Sequence, residues 1–290
     1  MRRATYAAVG IAALLVVVKA AAWLSTGSIA ILSSLIDSCI DVAASLLNLL
    51  AVRQALVPAD REHRFGHGKA EAVAGLGQAA FILGSALFLV FEAIRRLLAP
   101  EPVVYGVYGM AVMVFAMAAT IALVQYQRHV IRRTRSVAVS ADSLHYRSDI
   151  LLNGAVLAAL ALTTWLDWPW ADPVFALAVA GYILHSAWAI ARSSLDLLMD
   201  RELPRALRER IIAIVQSHPE VRAVHDLRTR SSGTQVFIQL HVELDGNMTL
   251  DHAHAIGDDV ERQVLAAFPG AEVIIHHDPA GLHEAHPTFG

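Results

Sequence analysis

The stretch 34-SLIDSCIDVAASLLNLL-50 is apolar enough to cross a bilayer, yet it carries two aspartates four residues apart. A charged side chain near the centre of a membrane costs roughly 3 kcal/mol or more. In an α-helix, residues four apart are offset by about 40° and rise about 6 Å, so Asp37 and Asp41 share one face while Cys39 points elsewhere. A second pair with the same spacing, His145 and Asp149 in 145-HYRSD-149, opens a later apolar segment. Two helices that each present such a pair can close a tetrahedral cage around a divalent cation. Three carboxylates and one imidazole suit zinc and its near relatives. A bound dication would offset much of the penalty of burying the carboxylates. The plainer alternative is a wet cleft or an ion pair with a basic residue; two matched pairs on separate helices favour the metal.

The composition around this stretch is that of a membrane protein. Of 290 residues, 56% are hydrophobic and 17% charged, whereas soluble domains are about half apolar and about a quarter charged. Six segments reach the length of a span, about 20 apolar residues: Tyr6–Leu24, Ser28–Val52, Ala70–Leu98, Tyr105–Gln127, Leu144–Leu166 and Asp172–Leu195. His145, Arg147 and Asp149 crowd the start of the fifth, but 150-ILLNGAVLAALALTTWL-166 continues it. The opening Met-Arg-Arg and apolar run read as a retained first helix, because the run is span-length and lacks a clear small-x-small cleavage site.

One set of connections is rich in arginine and lysine; the other, 25-STGS-28, 99-APEPVVYG-106 and 167-DWPWADP-173, has neither. Arg95 and Arg96, at the outer end of the third segment, are the exception. The positive-inside rule puts both termini in the cytoplasm, with Trp165, Trp168 and Trp170 in an outer aromatic belt. A net charge of −3 without a basic stripe argues against nucleic acid as a partner. The single cysteine excludes an internal disulfide framework.

From about Leu203 the pattern changes. An amphipathic helix (203–219) leads into two strands, the second alternating as Val236, Ile238, Leu240, Val242 and Leu244. A helix from Thr249, a suitable N-cap, and a last strand (271–278) follow. The expected architecture is a polytopic α-helical membrane protein, with six transmembrane helices in residues 1–200 and a small cytoplasmic α/β domain of order α-β-β-α-β in residues 201–290.

Two further clusters carry metal-ligand chemistry. In the loop 60-DREHRFGHGKAE-71, Asp60, His63 and His67 have spacings that a compact turn brings together, though a solvated polar loop would look similar. In the soluble domain, His225 and His241 can stand side by side on a hairpin, His254 lies on the helix, and His276 and Asp278 share one strand face. Several histidines and one bridging carboxylate could hold two metal ions. His252, His277, His283 and His286 read as surface or tail groups. Among the intramembrane polar residues, Lys19 is expected to snorkel or pair within the bundle. Asn48, Gln78, Asn153 and His185 are expected to bond between helices, and Glu71 and Glu92 to face water.

The motifs 37-DSCID-41, 60-DREHRFGHGKAE-71, 145-HYRSD-149, 225-HDLRTR-230 and 274-IIHHDP-279 resemble those of the cation diffusion facilitator family, most closely its bacterial zinc and ferrous-iron efflux branch. The resemblance covers essentially the whole chain. It implies a transport site of Asp37, Asp41, His145 and Asp149, an interfacial site of Asp60, His63 and His67, and a binuclear cytoplasmic site of His225, His241, His254, His276 and Asp278. It also implies a multi-pass protein of the inner membrane, and a homodimer tied by a charge interlock, for which Lys69 and Asp200 occupy the matching places. The expected activity is proton-coupled export of Zn2+, with Cd2+ or Fe2+ as alternatives, because metal ligands must shed protons to bind. An intramembrane aspartyl protease would need a Gly-rich signature beside one aspartate, and none occurs. A zinc hydrolase would need a nucleophile or general base in the soluble domain, and none is evident. A metal sensor on a plain anchor would gain nothing from the intramembrane pairs.

Overall fold

The computed structural model describes residues 1–27, 29–98, 107–166 and 170–281. The expected belt residue Trp168 and the tail histidines His283 and His286 lie outside them. The chain divides into two compact units, Met1–Leu195 and Asp196–Gly290.

The first unit is built from six long helices: α1 (Arg2–Thr26), α2 (Ile29–Ala55), α3 (Ala70–Leu98), α4 (Val107–Thr134), α5 (Val137–Leu166) and α6 (Ala171–Leu198). Helices suit a bilayer because each backbone N–H and C=O is satisfied within the segment. Among the described residues, α1, α2, α3, α4 and α6 each contain a stretch long and apolar enough to cross a membrane. The sixth, α5, is 30 residues long, with a polar first half and an apolar second half. Small residues let the helices approach closely: Ala4, Ala8 and Ala12 on α1 and Ala72, Ala79, Ala86 and Ala93 on α3 are all buried. Large apolar side chains such as Val17, Leu47, Phe88, Phe91 and Trp188 face outward, as acyl chains require. Leu144 of α5 packs with Ile82 and Ala86 of α3 and with Ile183 and Ala187 of α6.

Two boundaries differ from the sequence reading. Helix α4 runs seven residues past Gln127, and α5 starts at Val137, seven residues before Leu144. Only Arg135, in a left-handed conformation (φ 51°), and Ser136 separate them. The polar start of α5 is helical because it is capped. The Ser136 hydroxyl accepts from the Val139 amide at 3.1 Å and donates to Glu71 of α3, whose carboxylate also accepts from the Ala138 amide at 3.2 Å. An acidic side chain there also complements the helix dipole. Glu71 is therefore buried rather than facing water.

The second unit has the expected order, α7 (Arg205–Gln216), β1 (Ala223–Ser232), β2 (Gln235–Leu244), α8 (Leu250–Ala267) and β3 (Glu272–Pro279). The sheet order is β1-β2-β3, antiparallel between the first pair and parallel between the second. The crossover that a parallel pair needs is supplied by α8, whose N-cap Thr249 accepts from the His252 amide at 3.3 Å. Ile238, Leu240, Val242 and Leu244 of β2 pack against Ile211 and Val215 of α7 and Ile256, Val260 and Val264 of α8. Alternation then leaves the other sheet face, with His241, outside this core.

Gly75 marks the tightest seam of the helical unit. A Cβ there would stand 2.8 Å from Ser194 Oγ and 2.9 Å from Val137 Cγ1, so any larger residue would force those side chains of α6 and α5 to shift. Gly75→Ala is expected to lower the melting temperature of the purified protein in detergent by an overpacking cost of about 1–3 kcal/mol. Gly77→Ala, whose Cβ would meet nothing within 4 Å, should leave it unchanged or raise it.

Candidate metal centres

The i,i+4 pairs of α2 and α5 meet inside the helical unit. His145 Nε2 lies 2.8 Å from Asp41 Oδ1, and ligand atoms of Asp41, His145 and Asp149 all lie within 4.8 Å of one another. They line a cavity of about 410 Å³. Asp37, one turn along α2, lines the same cavity but stands outside that close set. The structure thus brings three of the four expected ligands together and puts the fourth on the same wall. Lys19 of α1 also lines the cavity; its ammonium donates to Ser38 Oγ at 2.7 Å and to the Ser34 carbonyl at 3.1 Å. It therefore pairs within the bundle rather than snorkelling.

A buried residue that the sequence reading passed over supports this site. Asp142, on α5 one turn before His145, accepts from Gln127 Nε2 of α4 at 2.6 Å. Longer contacts reach Ser45 of α2 at 3.4 Å and Gln78 of α3 at 3.5 Å. Ser45 also shares a 2.7 Å hydrogen bond with Tyr146 of α5. One carboxylate thereby ties four helices together just below the cage. The signal was present: Asp142, His145 and Asp149 recur at i, i+3 and i+7 on one helix face. Gln78 bonds between helices as expected, whereas Asn48 is buried without a hydrogen-bond partner among the described residues.

In the loop before α3, Asp60, His63 and His67 also converge to within 4.8 Å. Asp60 Oδ1 accepts from the amides of His63 (2.6 Å) and Glu62 (2.9 Å), closing an Asx-type turn. The two imidazoles lie 3.3 and 3.4 Å from its carboxylate oxygens. The His63 amide, ahead of the opposing effect of desolvation, holds Asp60 below the usual carboxylate range. His67 Nδ1 is buried without a partner among the described residues, so the imidazole is held in place with one ring nitrogen unspent. This donor set fits a divalent cation. Lys69, at the threshold of α3, accepts backbone bonds from Ala72 and Val73.

The third cluster lies on the sheet face opposite the helices. The strand register sets His225 of β1, His241 of β2 and His276 of β3 in one row. Asp278 is buried beneath them. Its Oδ2 lies 2.8 Å from His241 Nδ1 and 3.3 Å from His225 Nε2, while its Oδ1 lies 3.1 Å from His276 Nε2. Each carboxylate oxygen thus serves a different part of the row, the geometry of a bridging ligand. Burial pushes Asp278 upward, but the His241 hydrogen bond and the neighbouring imidazoles together hold it below the usual carboxylate range. A register shift between His225 and Arg228, with Asp226 at φ 45°, brings Asp226 Oδ2 to 3.8 Å from His241 Nε2.

His254 does not join this row. It sits on α8, across the sheet, with its side chain 73% exposed and 3.8 Å from Asp258. Within one chain the expected fifth ligand is therefore on the wrong face. His277 is a second correction: strand alternation turns it towards α8, where Gly257 makes room for its ring. It is half-buried there, not a surface group, and burial lowers its proton affinity. Asp200, also in a left-handed conformation (φ 55°), pairs with Arg230 at 3.5 Å.

Comparison with known proteins places this geometry in context. The cation efflux transmembrane domain matches residues 5–199, and the cation efflux protein cytoplasmic domain matches residues 203–280. The chain is 50% identical over 280 residues to the cation-efflux pump FieF of Klebsiella pneumoniae, covering 97% of this chain and 93% of that protein. FieF of Cronobacter sakazakii matches with the same identity and coverage. Among solved structures, the metal-bound C-terminal domain of the CzcD transporter from Thermotoga maritima is 29% identical, covering 28% of this chain and all of that one, with a TM-score of 0.27.

If the histidine row holds metal, zinc should raise the melting temperature of the full-length protein and EDTA should reverse the gain. A ligand at 100 times its Kd stabilises by about 2.7 kcal/mol. Asp278→Ala is expected to remove most of that shift, whereas His252→Ala, on the exposed side of α8, should keep it.

Proposed function

The chain belongs to the cation efflux family, the cation diffusion facilitators, and from that membership we propose that it exports divalent cations, zinc first and cadmium or ferrous iron as alternatives, in exchange for protons. It is a multi-pass membrane transporter rather than an enzyme. The observation that carries the proposal is the convergence of Asp41, His145 and Asp149 in a cavity that Asp37 also lines. Those donors, two oxygens and a nitrogen with a third carboxylate in reach, suit tetrahedral zinc.

In this reading the cargo enters from the cytoplasm, Asp37 turns in as the fourth ligand, and binding drives protons off the ligand atoms. Protons from the far side then displace the metal once the cavity is exposed there. Charge supports an exchange of this kind. Three ionised aspartates are balanced by the Lys19 ammonium and one dication, so the loaded cavity is formally neutral. An emptied cavity needs replacement charge in a setting where unpaired charge is costly.

Orientation and assembly belong to the same proposal. The arginines at the ends of α2 (Arg53) and α4 (Arg132, Arg133) support an inner-membrane protein with both termini in the cytoplasm. The cytoplasmic unit is read as the dimerising half of a homodimer, where a second copy could bring His254 to the histidine row. The Lys69–Asp200 interlock is retained as part of that dimer.

In proteoliposomes, Asp41→Ala should reduce zinc flux to that of empty vesicles; flux like that of the wild type would overturn the assignment. Collapsing an imposed pH gradient should slow the wild type, and a series of zinc, cadmium and ferrous iron would rank the cargo. Lys19→Met tests the charge argument separately. Without the internal ammonium the site should bind zinc about tenfold more tightly, the effect of roughly 1.4 kcal/mol. KM and the maximal rate should then fall together, whereas a merely structural defect would lower the rate without tightening binding.

A further inference from the structure

Away from the transport cavity, the helical unit carries a groove of about 560 Å³ between α4, α5 and α6. Its walls are apolar, with Ile121 and Val124 from α4, Leu151 from α5 and Phe175 from α6. Gln125 and two cations break that character: Arg128 of α4 and Arg147 of α5 also line it. Arg128 stands on the basic end of α4 that carries Arg132 and Arg133. Among the described residues neither guanidinium has an ion-pair partner, and Arg147 Nε is buried without an acceptor.

We propose that this groove binds an anionic phospholipid, its phosphate held by Arg128 and Arg147 and an acyl chain laid along the apolar wall. Guanidinium groups match phosphate oxygens with paired N–H donors. A protein that spans a bilayer meets such amphiphiles as its solvent, and basic pockets between membrane helices recognise their headgroups. Free phosphate would leave the apolar wall uncovered; a zwitterionic lipid offers the same phosphate but brings an ammonium that the two guanidinium groups repel. The site also has leverage on transport. Arg147 is flanked on α5 by His145 and Asp149, so an occupant gripping it bears on the helix that carries half of the metal cage.

The test uses delipidated full-length protein in detergent, with phosphatidylglycerol as the probe and phosphatidylcholine and inorganic phosphate as comparators. Native mass spectrometry reads lipid retained per chain, and thermal unfolding reads stabilisation. Phosphatidylglycerol should be retained and raise the melting temperature, and the Arg128→Gln/Arg147→Gln double variant should retain about tenfold less. Arg133→Gln, which leaves the groove lining intact, should behave as wild type. Should the double variant not fold, Arg147→Gln alone decides: it should lose retention, while Arg147→Lys, keeping the charge without the fork, should fall between. Equal retention by wild type and groove variants would overturn the proposal. So would equal stabilisation by phosphatidylcholine or by phosphate alone.

Discussion

A polar group inside a bilayer has no water to fall back on, and that constraint organises the helical unit. Asp41 has His145, Asp142 has Gln127, and Lys19 has Ser38 and the Ser34 carbonyl. Each of these contacts joins two different helices, so satisfying the polar atoms and fixing the bundle are one act. Small-residue seams on α1 and α3 let the backbones come close enough for such short side chains to reach. The cavity survives because its lining carboxylates and ammonium cannot be packed away as apolar residues could.

The cytoplasmic unit meets a different constraint with a similar result. Its sheet is covered by helices on one face, and there the chain invests Ile238, Leu240, Val242 and Leu244. The other face is left to the row His225, His241 and His276 over Asp278. A buried carboxylate ringed by imidazoles is tolerable without metal because the imidazoles can hydrogen-bond to it. The same arrangement suits a cation because both oxygens are already divided among the rings.

Much of this was legible in the sequence, because helix and strand periodicity assign each residue to a face. The i,i+4 pairs of α2 and α5 and the i,i+2 pair His276 and Asp278 were readable for that reason. Periodicity does not say which element stands opposite a face, and there the reading failed. Glu71 looked like a helix-end carboxylate facing water, because nothing local announces that the start of α5 lies against it. His254 reads as one of the same histidine set, but composition cannot tell which side of the sheet α8 covers, and within one chain it stands apart from the row. His277 was set aside beside His276, although alternation alone sends it towards the helix. The start of α5 was misplaced because polar residues mimic a loop until their cap is seen.

That cap has a kinematic corollary. Glu71 of α3 and Ser136 at the start of α5 share a buried contact, with the Ala138 amide as a third anchor. Sliding α5 along α3 would strand a carboxylate, a hydroxyl and an amide at once, so this end has little freedom to translate. Rotation about it leaves the cap itself intact and is opposed instead by the Asp142 contacts with α2, α3 and α4. A cage carried two to three turns further along α5 then moves on a short lever arm, with the capped corner as its fulcrum.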